Sequence, residues 1–194
     1  MSNSRGPDSL GDLVAQLGLR SRAATAAEAA EAGEIVLVSV PVKAYPALPA
    51  ATVIGKVVMD TGNYYPKRDG MVAALDSKAL TDSEYLERHL PGAQVVKVFN
   101  NIFFKHLLNL ARPAGAPDRS FLPIAGDDEE AKRAVSDFLS SIGYGAVDAG
   151  PLAEGWRQQS GTPVYATPYG SFENEKGTPA DADVIRSALA AATR

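Results

Sequence analysis

The stretch Glu34–Pro41, with the sequence EIVLVSVP, constrains the fold more than any other part of the chain. It is apolar, rich in β-branched residues and ends at a proline, which is typical of a strand buried on both faces of a parallel sheet. A similar run, Lys56–Asp60, follows and leads into Thr61, Gly62 and Asn63. This pattern predicts an α/β fold whose ligands bind beyond the carboxyl ends of the strands.

Strand-like and helix-like segments alternate along the rest of the chain. We expect further strands at Gln94–Phe99, Phe121–Ala125 and Gly145–Asp148, and a short edge strand at Arg20–Ala24. We expect helices at Pro7–Leu17, Thr25–Ala32, Asp82–Leu90, Asn101–Leu110, Gly126–Ile142 and Asp181–Ala192, with Gly126–Asp128 forming the cap of its helix. The alternation predicts a Rossmann-like, doubly wound, mostly parallel sheet in residues 1–150, and a small C-terminal helical extension in residues 151–194.

Composition excludes several classes of protein. A length of 194 residues suits one domain with a small appendage, and a net charge of −4 argues against a nucleic-acid surface. The absence of cysteine excludes disulfides, zinc–thiolate sites and thiol catalysis. No apolar run approaches the ~20 residues of a membrane span, and the polar first residues do not resemble a secretory signal. We therefore expect a cytoplasmic protein with neither nucleic acid nor membrane as a partner.

One element of a dinucleotide-binding fold is not found. Such folds normally begin with a strand and the turn G-x-G-x-x-G, whose backbone amides hold the pyrophosphate. This sequence contains no such turn and begins where a second strand would end. Either the natural chain begins about 25–30 residues earlier, the size of one βα unit, or the first βα unit is absent. We expect the former.

The end of a second strand is where such folds select their nucleotide. An acidic residue there holds the ribose 2′-hydroxyl of NAD, whereas an arginine accommodates the 2′-phosphate of NADP. Here the residues are Asn3, Ser4 and Arg5, and no carboxylate occurs before Asp8. A guanidinium binds phosphate in a bidentate manner, and a neighbouring hydroxyl adds a donor. An exposed arginine in a frayed N-terminus is the alternative interpretation of the same residues.

Six stretches together resemble a known family. They are SNSRGP (2–7), VSVPVKAYP (38–46), VVMDTGNYYP (57–66), VVKVFNNI (95–102), LPIAGDDEEAK (122–132) and VDAGPL (147–152). In this order and spacing they resemble the NADP oxidoreductases that work with the deazaflavin coenzyme F420. The resemblance implies NADP(H) as cofactor and coenzyme F420, or a similar small molecule, as hydride acceptor. A relative with a ferric or imine acceptor and a non-catalytic, degenerate nucleotide-binding protein are the alternatives.

The resemblance also implies roles for individual positions. The implied nucleotide contacts are Asn3, Ser4 and Arg5 at the 2′-phosphate, Val40 and Pro41 along the ribose and pyrophosphate, and Asn63, Asn100 and Ile102 at the nicotinamide. The residues alone leave alternatives open. Val40 and Pro41 could simply end a core strand, and Asn63 and Asn100 could hydrogen-bond to their own backbone. No acid, base or metal ligand is implied, and we expect a homodimer.

Aromatic residues are candidates for the acceptor site. Phe103, Phe104, Tyr64, Tyr65 and Trp156 either form an apolar acceptor pocket or pack in the core. The aromatic, Gly-rich segment Trp156–Phe172 lines either the acceptor site or a dimer interface, and the sequence does not distinguish the two.

Overall fold

The computed structural model describes residues 1–194 and is built on one five-stranded sheet. The strands are β1 (Ile35–Val38), β2 (Val57–Asp60), β3 (Gln94–Lys97), β4 (Phe121–Gly126) and β5 (Gly145–Asp148), side by side in this order. β1, β2 and β3 are mutually parallel, β4 is antiparallel to β3, and β5 is parallel to β4. The predicted α/β, mostly parallel sheet is confirmed.

Helices connect the strands and cover the sheet. The α-helices are α1 (Gly11–Leu17), α2 (Ala26–Ala32), α3 (Pro66–Asp69), α4 (Ala73–Asp76), α5 (Asp82–His89), α6 (Phe104–Asn109), α7 (Glu129–Ser141) and α8 (Ala182–Ala190). Short segments of 3₁₀-helix occur at Pro7–Leu10, Val42–Ala47, Ala50–Val53, Leu152–Gln158 and Thr167–Tyr169. No helix combines the length and the apolar character needed to cross a lipid bilayer.

Local capping chemistry fixes where several helices begin. Thr25 and Glu28 form a capping box at α2, in which each side chain accepts from the other's backbone N–H. Thr81 and Glu84 repeat this arrangement at α5. At α7 the Asp128 carboxylate accepts from the backbone N–H of Ala131 at 2.8 Å, so the predicted helix cap is also observed.

The expected edge strand at Arg20–Ala24 does not form. Its only strand-like partner is Met1, whose amino group donates to the Arg22 carbonyl at 2.8 Å and whose carbonyl accepts from Ala24 N–H at 3.0 Å. The first residues therefore run parallel to this segment for one residue pair. The chain then turns at Gly6, which has a positive φ of 90°, before a strand can develop.

The helix expected from Asn101 begins three residues later, at Phe104. Phe99 adopts a left-handed conformation with φ of 64°, which ends the extended chain after β3. Asn100 and Asn101 then use their side chains and carbonyls in tertiary hydrogen bonds, which hold this segment in a loop.

Two apolar clusters cover the two faces of the sheet. Val95 and Val96 are consecutive in β3 and belong to different clusters, as do Val58 and Met59 in β2. Successive side chains of a strand point to opposite faces, so both faces are buried. The C-terminal segment contributes buried residues to the cluster beside β4, namely Val164, Tyr169, Ala180, Ile185 and Leu189. The division at residue 150 stays a prediction.

The outer edge of β1 has no neighbouring strand. Leu37, in the middle of β1, is 51% exposed although its strand is apolar. The segment before Ser4, expected to be a strand, is not one in the structure. The first strand in the sheet thus presents apolar side chains and unpaired backbone groups at this edge.

The direction of the strands decides where a site can form. The carboxyl ends of β1, β2 and β3 meet at one edge of the sheet, because these strands are parallel. β4 and β5 run the other way and end at the opposite edge. The loops that follow β1, β2 and β3 therefore lie together, as expected for a ligand site in an open α/β sheet.

The turn after β2 is tightly packed at Gly62. A Cβ atom placed on Gly62 would lie 1.9 Å from the hydroxyl oxygen of Tyr45, which is fully buried. We predict that Gly62→Ala lowers the free energy of unfolding by about 1–3 kcal/mol, because the extra methyl group overpacks this contact. Chemical denaturation followed by circular dichroism measures the change.

Gly11→Ala is the matched control, since a Cβ atom on Gly11 meets nothing within 4 Å. It should leave stability unchanged or raise it slightly, because alanine restricts the unfolded chain. Removing the clashing hydroxyl with Tyr45→Phe should reduce the cost of Gly62→Ala. An equal cost in both backgrounds would contradict the packing explanation.

Candidate functional site

Two cavities adjoin at the carboxyl ends of β1, β2 and β3. The larger has a volume of about 560 Å³ and is lined by Leu37, Ser39, Thr61, Asn63, Phe99, Asn100, Asn101, Ile102, Phe103, Phe104, Leu107, Phe138, Ile142, Tyr165, Ala166 and Phe172. The smaller, of about 190 Å³, is lined by Ser39, Val40, Pro41, Thr61, Gly62, Asn63, Tyr65 and Arg68. They share Ser39, Thr61 and Asn63 and are therefore adjacent.

The larger cavity, which we call the apolar cavity, contains no charged side chain. Its wall is largely aromatic. The ring of Phe103 meets the rings of Phe104 and Phe172 edge-on, with centroids 4.7 and 5.3 Å apart. Such edge-to-face contacts are favourable for aromatic pairs and fix their relative orientation. A flat apolar ring is the kind of ligand that this wall accommodates.

The smaller cavity, which we call the polar cavity, has Arg68 as its only charged lining residue. The Arg68 guanidinium donates to the Asn63 carbonyl at 2.6 Å and to both carboxylate oxygens of Asp69 at 3.0 and 2.8 Å. It also lies 4.9 Å from the centre of the Tyr65 ring. The hydrogen bonds to Asp69 raise the pKa of Arg68, and the two side chains form an ion pair at 2.8 Å.

Asn63 and Asn100 join the loops after β2 and β3 at the boundary of the two cavities. The Asn63 side-chain amide donates to the Asn100 carbonyl at 2.8 Å, and the Asn100 amide donates to Asn63 Oδ1 at 3.1 Å. Asn100 also donates to the Gln158 carbonyl at 2.6 Å. Asn100 lines the apolar cavity, and its Oδ1 atom is buried and accepts no hydrogen bond.

Two residues of the apolar cavity have strained backbones. Phe99 and Ala166 have φ values of 64° and 62°, which cost non-glycine residues free energy. Ala166 N–H donates at 2.8 Å to the carbonyl of Asn101, which follows Phe99 by two residues. The Asn101 side chain binds the same segment through the Val164 carbonyl at 3.0 Å. Residues of the C-terminal segment are thus held in the cavity wall by the loop after β3.

Tyr165 is the only readily ionisable side chain in the apolar cavity. Its hydroxyl lies 2.7 Å from that of Tyr65, a residue of the polar cavity. Burial, reinforced by the hydrogen bond with Tyr65, raises the pKa of Tyr165. The phenol therefore stays protonated at neutral pH and closes one side of the boundary between the cavities.

The structure brings five of the eight predicted positions together. Val40 and Pro41 line the polar cavity, Asn100 and Ile102 line the apolar cavity, and Asn63 lines both. Asn3, Ser4 and Arg5 form a turn near the N-terminus and line neither cavity. In that turn Asn3 Oδ1 accepts from the backbone N–H of Arg5 at 3.0 Å.

The aromatic candidates divide among three cavities. Phe103 and Phe104 line the apolar cavity, and Tyr65 lines the polar one. Tyr64 and Trp156 instead line a separate cavity of about 280 Å³. From the segment Trp156–Phe172, Tyr165, Ala166 and Phe172 reach the apolar cavity.

Sequence reasoning missed the cavity residues Arg68 and Phe138, and it named Tyr165 and Ala166 only as part of the segment Trp156–Phe172. Arg68 had a usable signal, because it follows the strand-end turn Thr61–Asn63 by only a few residues. Phe138 lies on α7, and no local pattern marks it as a site residue. Tyr165 and Ala166 lie far along the chain in an irregular segment, and no local pattern connects them with the strand ends.

A buried carboxylate holds the chain beside the polar cavity. Asp82, at the start of α5, is 6% exposed and accepts from the backbone N–H of Tyr64 at 3.0 Å. Burial raises the pKa of Asp82 above its ordinary value of 3.8, and the charges of Asp60 and Asp69 add to the effect. The nearby Lys97 opposes the shift without cancelling it.

This raised pKa predicts a pH dependence of stability. The protonated form of Asp82 is favoured in the folded state, so its contribution to stability is complete below pH 3.8 and is lost as the pH rises through the folded-state pKa. We predict that Asp82→Asn, which keeps an acceptor for Tyr64, stabilises the protein relative to wild type increasingly as the pH is raised above about 4.

Thermal unfolding between pH 4 and pH 8 measures this difference. Asp12→Asn, at an exposed aspartate in the first turn of α1, controls for loss of a first-turn charge. A difference between Asp82→Asn and wild type that stays constant or shrinks with rising pH would contradict the assignment.

Comparisons with known proteins agree with this geometry. The family model described as "NADP oxidoreductase coenzyme F420-dependent" matches residues 1–64. A hypothetical protein from Sinorhizobium meliloti, of known structure, is 30% identical, with a TM-score of 0.68 over 85% of this chain and 80% of that one. A protein from Arthrobacter sp. FB24, described as a candidate F420-dependent NADP reductase, is 25% identical, with a TM-score of 0.55 over 68% of this chain and 62% of that one. No curated protein matches the sequence. In its first 64 residues the chain thus resembles the coenzyme F420-dependent NADP oxidoreductases.

Proposed function

We propose that the protein transfers a hydride between NADP(H) and a deazaflavin of the coenzyme F420 type, or an acceptor of similar shape. The observation that carries the proposal is the junction of a polar and an apolar cavity at the ends of β1 and β2. Direct hydride transfer needs two rings held face to face in a dry site. A polar cavity for the nucleotide and an apolar one for the acceptor ring meet that need.

The polar cavity fits the phosphorylated part of a nucleotide. Arg68 is held by Asp69 and by the Asn63 carbonyl through Nε and Nη2, while its Nη1 group makes no hydrogen bond within the protein. That group is available to a phosphoryl or ribose oxygen. The side chains of Ser39 and Thr61 line the same cavity and add hydroxyl groups. Val40 and Pro41, in this proposal, pack along the ribose.

The boundary between the cavities fits a nicotinamide. Asn100 Oδ1 is a buried acceptor without a donor, and leaving such a group unpaired costs free energy. A carboxamide N–H is a donor of the matching type. Asn63 lies beside Asn100, and Ile102 adds an apolar contact in the same wall. We assign these three residues to the nicotinamide end of the site.

Arg5 is assigned to the 2′-phosphate in this proposal. Its side chain is exposed and makes no ion pair within the protein. Asn3 accepts from the Arg5 backbone N–H and contacts the Ser9 hydroxyl, which orders the turn that carries Ser4 and Arg5. A free guanidinium beside a serine hydroxyl is suited to binding a phosphate dianion.

The protein's own groups orient the reactants and exclude water. Bound NADPH supplies a hydride from C4 of its nicotinamide to the acceptor. The aromatic wall around Phe99, Phe103 and Phe138 keeps the acceptor ring out of water. Reduction of such a ring also takes up one proton. The Tyr165 hydroxyl, which lines the apolar cavity and is hydrogen-bonded to the Tyr65 hydroxyl, is placed to exchange that proton.

The lining of the apolar cavity favours a flat conjugated acceptor over the two alternatives. A ferric centre needs ligands or counter-charges, and the cavity contains no charged side chain. An iminium is cationic and would be placed in an uncharged wall. A neutral ring with extended aromatic contact matches the side chains present. The homodimer and the cytoplasmic location stay predictions.

The acceptor is tested by mixing the purified protein with NADPH under anaerobic conditions and following absorbance at 340 nm. We expect a deazaflavin to be reduced at least about tenfold faster than FMN, a ferric chelate or a cyclic imine, a difference of about 1.4 kcal/mol in transition-state stabilisation. Binding of NADPH without reduction of any acceptor would favour the non-catalytic alternative. Faster reduction of the ferric chelate or the imine would replace the proposed acceptor.

The role of Arg5 predicts a preference between nucleotides. Arg5→Ala should weaken the binding of NADPH by about 1.5–3 kcal/mol, because a charged hydrogen-bonding partner of the 2′-phosphate is lost. NADH lacks this phosphate and should bind with unchanged affinity. Isothermal titration calorimetry measures both.

Arg20→Ala is the matched control, since Arg20 is an exposed arginine of the same N-terminal region. It should leave both affinities as in wild type. Equal losses of NADPH and NADH affinity in Arg5→Ala would remove Arg5 from the phosphate site.

A further inference from the structure

We propose that Lys97 and Asp60 are positioning residues for the nicotinamide end of the site, acting through the two peptide groups of Gly62. The inference rests on the proposed function, since it concerns the same cavity boundary. Neither side chain lines either cavity. Both would act by fixing the turn that carries Asn63.

The two side chains hold Gly62 from opposite ends. The Asp60 carboxylate accepts from the Gly62 backbone N–H at 2.8 Å, and the Lys97 ammonium donates to the Gly62 carbonyl at 2.9 Å. The two charged groups also form an ion pair with an N–O distance of 3.7 Å. Gly62 is therefore held at both of its hydrogen-bonding groups by charged partners, which make stronger hydrogen bonds than neutral ones.

The arrangement is fully buried. The side chains of Asp60 and Lys97 are both 0% exposed. The Asp60 carboxylate also accepts hydrogen bonds from the hydroxyls of Ser83 at 2.6 Å and Tyr45 at 3.2 Å. Because its partners lie on different segments of the chain, the Asp60 carboxylate is fixed in position. The turn at Gly62, which it binds, is fixed with it.

The turn at Gly62 determines where the next residue, Asn63, lies in the site. Asn63 follows Gly62 directly and makes the reciprocal hydrogen bonds with Asn100. Its carbonyl is the acceptor for Arg68. A shift of the Gly62 peptide would therefore displace the nicotinamide contacts and the Arg68 guanidinium together, and small displacements are costly in a site for hydride transfer.

The contacts of Lys97 distinguish positioning from a general structural role. The only hydrogen bond of its side chain goes to the carbonyl of Gly62, and its only ion pair is with Asp60. Another buried lysine, Lys132, is 6% exposed and pairs with Glu129 and Asp148 at the opposite edge of the sheet. Lys132 offers a comparison, because it is a largely buried, ion-paired lysine that is remote from both cavities, with the difference that its carboxylate partners are exposed.

The experiment compares two ligands in four proteins. The ligands are NADP⁺ and 2′-phospho-ADP-ribose, which has the same phosphates and adenosine but no nicotinamide. The proteins are wild type, Lys97→Met, the double variant Asp60→Asn with Lys97→Met, and Lys132→Met. Calorimetry gives the dissociation constants, and thermal unfolding gives the stability of each protein.

We expect Lys97→Met to weaken the binding of NADP⁺ by about tenfold or more, as for loss of a charged hydrogen bond. The binding of 2′-phospho-ADP-ribose should weaken by a clearly smaller factor, because Asp69 still holds the Arg68 guanidinium. The single variant leaves Asp60 as an unpaired buried charge, which is strongly destabilising. The double variant removes both charges, so it should recover thermal stability without recovering affinity for NADP⁺. Lys132→Met should lose stability and keep both affinities.

The outcomes separate the inference from the proposed function. If the double variant recovers NADP⁺ affinity together with stability, or if Lys97→Met weakens both ligands equally, Lys97 has only a structural role. If wild type does not bind NADP⁺, or binds it no more tightly than 2′-phospho-ADP-ribose, the boundary is not a nicotinamide site. Either of these two results for the wild type overturns the proposed function as well as the inference.

Discussion

A buried ion pair at the ends of two neighbouring strands is the interaction on which the site depends. Asp60 and Lys97 are the last residues of β2 and β3 and stand directly opposite each other in the parallel register. Burying two charges costs several kcal/mol per ion unless their hydrogen bonds are satisfied. Here the ion pair is supplemented by the Gly62 peptide and by two hydroxyls. The apolar strands β2 and β3 thus each end at a buried charged residue, next to the turn that lines the polar cavity.

Much of the fold could be predicted because its signals are local. The apolar runs at β1, β2 and β3 and the capping boxes at α2 and α5 depend on residues close in sequence. The reversed direction of β4 could not be predicted, because the composition of Phe121–Gly126 suits a buried strand of either direction. Its direction is decided by the connection from β3, which stays at one edge of the sheet.

The site was predictable only where it follows the strands. Val40, Pro41 and Asn63 come directly after β1 and β2, so the parallel order places them at one edge. The Asn63–Asn100 hydrogen bonds and the unpartnered Asn100 oxygen depend on tertiary packing that no spacing encodes. Contacts between Tyr65 and Tyr165 span one hundred positions. The role of Arg5 stays a prediction, because its turn lines neither cavity.

The apolar cavity is preformed, and its strained backbone is the reason. Phe99 and Ala166 both have positive φ values, and such sparsely populated conformations cost roughly 1–3 kcal/mol per residue. Such conformations persist only where surrounding contacts over-determine them. The Asn101 carbonyl and side chain supply these contacts by binding Ala166 and Val164. Since each strained residue lies in the wall, the same contacts that maintain the strain also keep the cavity open to an aromatic ring. Binding such a ring would then cost little reorganisation of the protein, which is the condition for aligning it precisely against a nicotinamide.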